Sequence, residues 1–303
     1  VPTAIRSAAV CTDPDTGSYL ELATRAARAC LERAGVGVDE IGLLVNAGVF
    51  RDNNLCEPAV AALVQKRLGL GLRYEPGRVP ALSFDVMHGA AGVPHAIDVA
   101  ESFLRADDVR YALLVAGDAH PSTRRDTDDA LYTASGAAML LEKACAVGGF
   151  GRLQTVEPTG PVEPSVWVDI EEAGTNGRAT GHAVVGPDPL AVAAAAVRAC
   201  VAEEGLTESD FADGRAVLLA PAPSSDFPAR LAGTLGIPRT AVVGPDPRVG
   251  DPYSAAPIHA YLAAQDSGQL TAARTTLLLA AYDASAACLA HRRDAAPVGV
   301  ATP

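Results

Sequence analysis

Two kinds of apolar pattern alternate along this chain. In one, apolar residues return every three to four positions; in the other, a short run is apolar throughout. The first pattern predicts helices at Tyr19–Ala34, Pro58–Leu68 and Ala90–Arg105, and again at Pro189–Glu204, Asp226–Leu235 and Ser254–Ser267. The second predicts strands at Gly42–Ala47, Ala81–Asp85 and Tyr111–Gly117, with a hairpin partner at Ala137–Glu142. It recurs at Ala216–Ala220, Ala241–Val243, Thr275–Ala281 and Ala286–His291. Runs without polar alternation suit strands covered on both faces. Helices alternating with such strands predict α/β architecture, with mainly parallel sheets joined by right-handed crossovers.

The two sets follow one plan. Leu22–Gly48 is an alanine-rich amphipathic helix, an acidic turn after a glycine and a short apolar strand, and Leu190–Pro223 repeats that order. Val64–Leu70 is answered by Ala229–Ile237, and His95–Asp118 by His259–Asp283. The separation far exceeds the roughly 20–50-residue period of a solenoid. It predicts a duplicated half, residues 1–150 followed by residues 151–303. Gly148–Gly186 joins them and is rich in Gly, Pro and acidic residues, with the single tryptophan, Trp167. It reads either as a connection lining a cleft or as a solvated linker with an edge strand.

Composition narrows the function. The 303 residues carry a net charge of −12, which argues against nonspecific nucleic-acid or anionic-membrane binding. No apolar run reaches the roughly 18–20 residues of a membrane span, and no basic-then-apolar leader is present, so a cytoplasmic protein is expected. The six cysteines include no Cys-x-x-Cys pair, so neither a zinc site nor a dithiol redox motif is expected. Cys30 and Cys200 occupy equivalent points of the repeated helix and read as small core residues.

The order of the remaining motifs is more specific: Thr3–Ser7 (TAIRS), ALSFDV, Phe84–Ala100 (FDVMHGAAGVPHAIDVA) entering the central helix, YALLVAGD, Ser135–Glu142 (SGAAMLLE), RLAGTLGIP and GDPYSAAP. This order resembles the thiolase superfamily, and within it the ketoacyl-ACP synthase III (FabH-like) branch and its acyltransferase relatives. The resemblance covers nearly the whole chain. It implies two βαβαβαββ-type halves forming a five-layered αβαβα sandwich. It also implies that TAIRS follows a first strand that has no counterpart here.

The resemblance further implies a chemistry: a Cys at the start of the central helix takes the acyl group, and a His with an Asn or Asp serves the second half-reaction. Carried over residue by residue, the nucleophile position falls on Ala90 and the His position on or next to Ala222. The Asn turn becomes Gly250-Asp251-Pro252-Tyr253, and the glycine-rich stretch near the end becomes Tyr282-Asp283-Ala284-Ser285. An alanine methyl cannot attack a thioester, so no covalent Cys-based condensation is expected.

His88, two residues before the lost nucleophile, reads as a proton donor or acceptor, or as a hydrogen-bonded residue at a strand–helix junction. Asp251 reads as a group that polarises a ligand amine or hydroxyl, or as a turn cap. His182, Ser224, Tyr253 and Ser285 are candidate substrate contacts, and His120 a candidate interface residue. No metal or resident cofactor is expected. The implied substrate or ligand is an acyl-CoA or a phosphopantetheine thioester on an acyl carrier protein. The implied assembly is a homodimer, or a heterodimer with a homologous ketosynthase.

Three functions fit. One is direct acyl transfer to a small acceptor in secondary-metabolite biosynthesis, by proximity and proton transfer without a Cys. Another is a non-catalytic subunit paired with a Cys-bearing homologue. The third is an acyl-ligand binding protein.

Overall fold

The apolar runs pair into two sheets of matching order, seen in a computed structural model describing residues 2–54, 58–73, 80–105, 109–119, 132–144, 148–168, 181–184 and 186–293. The first sheet contains β1 (Thr3–Cys11), β2 (Ile41–Asn46), β3 (Leu82–Asp85), β4 (Tyr111–Asp118) and β5 (Ser135–Lys143), in the order β1-β5-β4-β2-β3. The second contains β6 (Gly149–Phe150), β7 (Gln154–Val156), β10 (Ala216–Leu219), β11 (Val242–Val243), β12 (Thr275–Tyr282) and β13 (Ser285–Arg292), in the order β11-β10-β12-β13-β6, with β7 also paired to β13. Strand for strand, β3-β2-β4-β5-β1 answers β11-β10-β12-β13-β6/β7. A small hairpin of β8 (Val166–Val168) and β9 (Gly181–Ala183) stands apart.

The sheets are mixed rather than mainly parallel, which corrects the expectation from the sequence. The pairs β2–β3, β2–β4, β10–β11 and β10–β12 are parallel, whereas β4–β5, β1–β5, β12–β13 and the pairings of β6 and β7 with β13 are antiparallel. Each half closes with a hairpin, and a hairpin reverses strand direction without a crossover. TAIRS is itself strand, part of β1 at the sheet edge beside β5.

The helices start and stop where local chemistry directs. In α1 (Tyr19–Ala34) the Ser18 hydroxyl accepts the Glu21 N–H at 3.1 Å, and Gly35 at φ 66° turns the chain out of the helix. The equivalent helix, α4 (Leu190–Glu204), ends on Gly205 at φ 64°. The others are α2 (Val60–Leu68), α3 (Gly92–Arg105), the short α5 (Glu208–Ala212), α6 (Phe227–Leu235), α7 (Ala256–Asp266) and the short α8 (Gln269–Ala272).

Helices α3 and α7 lie between the sheets. Val93, Ile97, Leu104 and Ile258 pack with Leu114 and Met139 of the first sheet and with Leu219, Leu278 and Leu289 of the second. Helices α1 and α2 cover the outer face of the first sheet, and α4 and α6 that of the second. Cys30 and Cys200 are buried in these two outer layers, as expected from the repeat.

The outer layer approaches at backbone distance in one place. A methyl group on Gly136 of β5 would overlap the backbone of Leu22 and Ala23 in α1, and neither can retreat without lifting the helix off the sheet. Gly136→Ala is expected to cost about 3 kcal/mol in denaturant unfolding. Gly160→Ala, which faces open space, serves as the control. Equal midpoints for the two variants would contradict this packing.

Candidate functional site

The segment between β3 and α3 is anchored before it reaches the site. The Asp85 carboxylate accepts the N–H groups of Val60 and Ala61 at 3.0 and 2.8 Å and pairs with Arg51 at 2.7 Å. The chain then turns through Gly89 at φ 52°, and the Gly92 N–H donates to the Gly89 carbonyl at 3.2 Å. Helix α3 begins at Gly92 rather than at Ala90. Ala90 therefore sits in the turn before the helix, with only 8% of its surface exposed.

Ala90 lines a cavity of about 290 Å³ together with His88, Glu157, Tyr253, Tyr282 and Ser285. The polar groups form a relay around Glu157. Ser285 Oγ donates to Glu157 Oε2 at 3.1 Å, and His88 Nε2 stands 3.6 Å from Glu157 Oε1, within ion-pair reach when the imidazole is protonated. The His88 ring lies 3.9 Å from that of His95, centroid to centroid. His95 Nδ1 is bonded to the Ala91 carbonyl at 2.9 Å, and partial burial holds its pKa below the ordinary value.

Asp251 is elsewhere. It lines a second cavity, of about 580 Å³, with Ala222 and Ser224, between α6 and α7. Burial pushes the Asp251 carboxyl up to about 6, while its Oδ1 accepts the Tyr253 N–H at 3.0 Å. The structure thus places His88 and Asp251, the two candidate catalytic residues, in different cavities. Tyr253 belongs to the first cavity, and its backbone is in the left-handed region at φ 45°, an uncommon state for a bulky residue. Its ring joins a column with Phe50, Tyr132 and Tyr282, at centroid separations of 5.8, 5.2 and 4.7 Å respectively. Burial pushes these phenols up, Tyr282 to about 12, so they stay neutral at physiological pH. Ser224 also lines a third cavity, of about 400 Å³, which shares Tyr282 and Asp283 with the first.

A buried carboxylate ties the two halves together behind the column. Asp118, at the end of β4, accepts the N–H groups of Val49 and Phe50 at 3.0 and 2.8 Å, the Ser254 N–H at 3.2 Å and the Ser254 hydroxyl at 2.6 Å. Its complete burial pushes its pKa up to about 6. Ser254 immediately follows Tyr253, so this network sets where the column stands.

His182 lies in the β8–β9 hairpin, its ring stacked on Trp167 at 5.1 Å, and it is not among the residues lining the three cavities. His120 and the charged run 124–129 lie outside the described residues. So do Cys56 and Cys145; the described cysteines, Cys11, Cys30, Cys200 and Cys288, carry free thiols away from Ala90. Among the described residues no group of three His, Cys, Asp or Glu side chains could hold a metal, and no helix is long and apolar enough to cross a membrane. Sequence reasoning missed Glu157 and the aromatic column. Glu157 carries no local signal in its acidic, Pro-rich surroundings, and the column draws on separated segments of the chain.

No protein-family model matches the chain. Among curated proteins, a beta-ketoacyl-[acyl-carrier-protein] synthase III from Rhizorhabdus wittichii is 31% identical over 155 residues, covering 50% of this chain and 45% of that protein. An acyl-CoA:acyl-CoA alkyltransferase from Xanthomonas campestris is 34% identical over 98 residues, covering 32% of this chain and 26% of that protein. The matches thus span half or less of these two relatives. Among solved structures, the 3-oxoacyl-(acyl carrier protein) synthase III of Pseudomonas aeruginosa superposes with a TM-score of 0.77 at 20% identity, covering 97% of this chain and 99% of the other. The chain has the thiolase-like fold of the synthase III structures, and its sequence relatives are synthases III and an acyl-CoA alkyltransferase.

Proposed function

We propose that this protein performs ketosynthase III-like acyl chemistry without a Cys nucleophile, passing the acyl group of a CoA or carrier-protein thioester to a small amine or hydroxyl acceptor. The observation that carries this reading is the relay of Ser285, Glu157 and His88 around the cavity at Ala90. A carboxylate set between a hydroxyl and an imidazole beside one cavity is the arrangement such a transfer requires. Glu157 is placed to take a proton and His88 to return one to the leaving thiolate. The third cavity, which shares Tyr282 and Asp283 with the first, is the approach for the thioester arm.

The test is free-thiol release from a panel of acyl-CoAs with and without amine and alcohol acceptors. His88→Ala and Glu157→Gln are each expected to lower acceptor-dependent release on the order of 100-fold or more. Release unchanged in both variants would remove them from the chemistry.

A second reading is a non-catalytic subunit paired with a Cys-bearing homologue, and the alanines at both Ala90 and Ala222 favour it. The surface suited to a homologous partner is the edge of β3, unpaired among the described residues, beside which Leu82 and Met87 are 48% and 57% exposed. No thiol release across the panel, together with co-purification of such a homologue, would select this reading.

A further inference from the structure

The polar groups around the first cavity have the layout of an activated nucleophile, and the backbone fixes it. Strand β7 pairs antiparallel with β13 in a register that sets Val156 opposite Ala286, so Glu157 falls opposite Ser285. A directly opposite pair in an antiparallel ladder brings side chains together on one face. The 3.1 Å bond from Ser285 Oγ to Glu157 follows from that register. Ser285 is also the first residue after the tight turn joining β12 to β13. Tyr282 pairs with Ser285 across that turn, and Asp283 within it adopts φ 50°. The Asp283 carboxylate holds the strained turn by accepting the Ser165 N–H at 3.2 Å. Nucleophile, base and a third group oriented on the base therefore line one cavity with the empty nucleophile position, Ala90.

We propose that Ser285 is the acyl-accepting nucleophile of this protein, with Glu157 as its base and His88 as the acid for the leaving thiol. This rests on the reading that the site handles an acyl thioester. Ser285 Oγ attacks the thioester carbonyl carbon and its proton passes to Glu157. The carbon–sulfur bond breaks, its electron pair leaves on sulfur, and the thiolate takes a proton from protonated His88. The product is an ester on Ser285 and a free thiol. An amine or hydroxyl acceptor then attacks the ester carbon and gives its proton to neutral His88. The Ser285 oxygen leaves and recovers its proton from Glu157. Both groups return to their starting states, and no oxidant or reductant enters.

The experiment uses the intact 303-residue chain with acetyl-CoA and octanoyl-CoA, quenched in acid on the millisecond-to-second scale, with intact and peptide mass spectrometry. The expected result is one acyl group per chain on the peptide containing Ser285, resistant to neutral hydroxylamine as an oxygen ester is. Ser285→Ala is expected to abolish the adduct and to lower thiol release on the order of 100-fold or more. Ser285→Cys is expected to carry the acyl group at position 285 as a hydroxylamine-labile thioester, which shows that the site is still folded. If Ser285→Ala releases thiol within a few-fold of the parent, or if no quenched sample carries acyl on Ser285 while release proceeds, Ser285 is not the nucleophile and the Cys-free transfer reading stands without it. No release and no adduct with any acyl-CoA overturns both.

Discussion

Ala90→Cys is expected to change residue 90 from inert to acylated in stoichiometric amount. Ala90 already lines the cavity. It lies two residues before α3, where the helix N-terminus favours negative charge and so lowers the pKa of a thiol placed there. On the reading that Ala222 stands where a synthase III has its His, an acyl group loaded on the introduced thiol is expected to accumulate rather than turn over. Peptide mass spectrometry after incubation with acetyl-CoA checks this, with hydroxylamine lability marking the thioester. Iodoacetamide provides an independent reading, since a thiolate at position 90 should alkylate faster than free cysteine at neutral pH. An introduced thiol that neither loads nor reacts faster than free cysteine would show that position 90 lacks the electrostatics of a nucleophile position.

Asp118→Ala is expected to be the most destabilising single change near the site, by about 4 kcal/mol or more. It leaves the N–H groups of Val49, Phe50 and Ser254 and the Ser254 hydroxyl without their acceptor inside the protein. Each buried donor stranded in this way costs about 1–3 kcal/mol. The same residue shapes the pH dependence, and the milder Asp118→Asn exposes it.

In the folded state Asp118 and Asp251 have pKa values raised from 3.8 to about 6 by burial. Their contribution to stability is fully present below pH 3.8 and is lost as pH rises through 6. Each displacement corresponds to about 3 kcal/mol. His259 and His291 behave oppositely, since burial lowers both from 6.5 to about 4. Their contribution is present above pH 6.5 and is lost as pH falls through 4, by about 3 kcal/mol each. The two pairs offset one another between about pH 4 and 6.5, so the parent should show a nearly flat stability profile over that interval. Asp118→Asn removes one acid-favouring group, and its stability relative to the parent should fall by about 3 kcal/mol from pH 6.5 to 4. Urea titrations at several pH values across that interval and above it measure this, and parallel profiles for parent and variant would refute it.

Much of the architecture was legible because it is written locally. The apolar periodicity of Tyr19–Ala34 and its echo in Leu190–Glu204 announced both outer helices, and the glycines at 35 and 205 marked their ends. The buried runs of β4 and β12 could be read as strands without knowing their neighbours. Strand β1 was missed because Arg6 and Ser7 interrupt its apolar run and its edge position leaves part of it exposed. Strands β6 and β7, at two and three residues, are too short to carry a period. The sheets are less parallel than helix–strand alternation implies because, beyond the hairpin expected after β4, the edge strands β1, β6 and β7 also pair antiparallel.

The order of residues was enough to read the repeated helix–strand plan and the two outer helices with their buried cysteines. Which polar groups meet was settled by the folded arrangement alone. Glu157 and Ser285 are 128 residues apart and become partners through the register of β7 on β13. His88 and Asp251, both candidates from the sequence, lie in separate cavities, with Tyr253 lining the first. Periodicity records which face of an element is buried, but a site is made by side chains from elements distant in the chain. Their meeting depends on register, crossing and turn geometry, which no local window of residues contains.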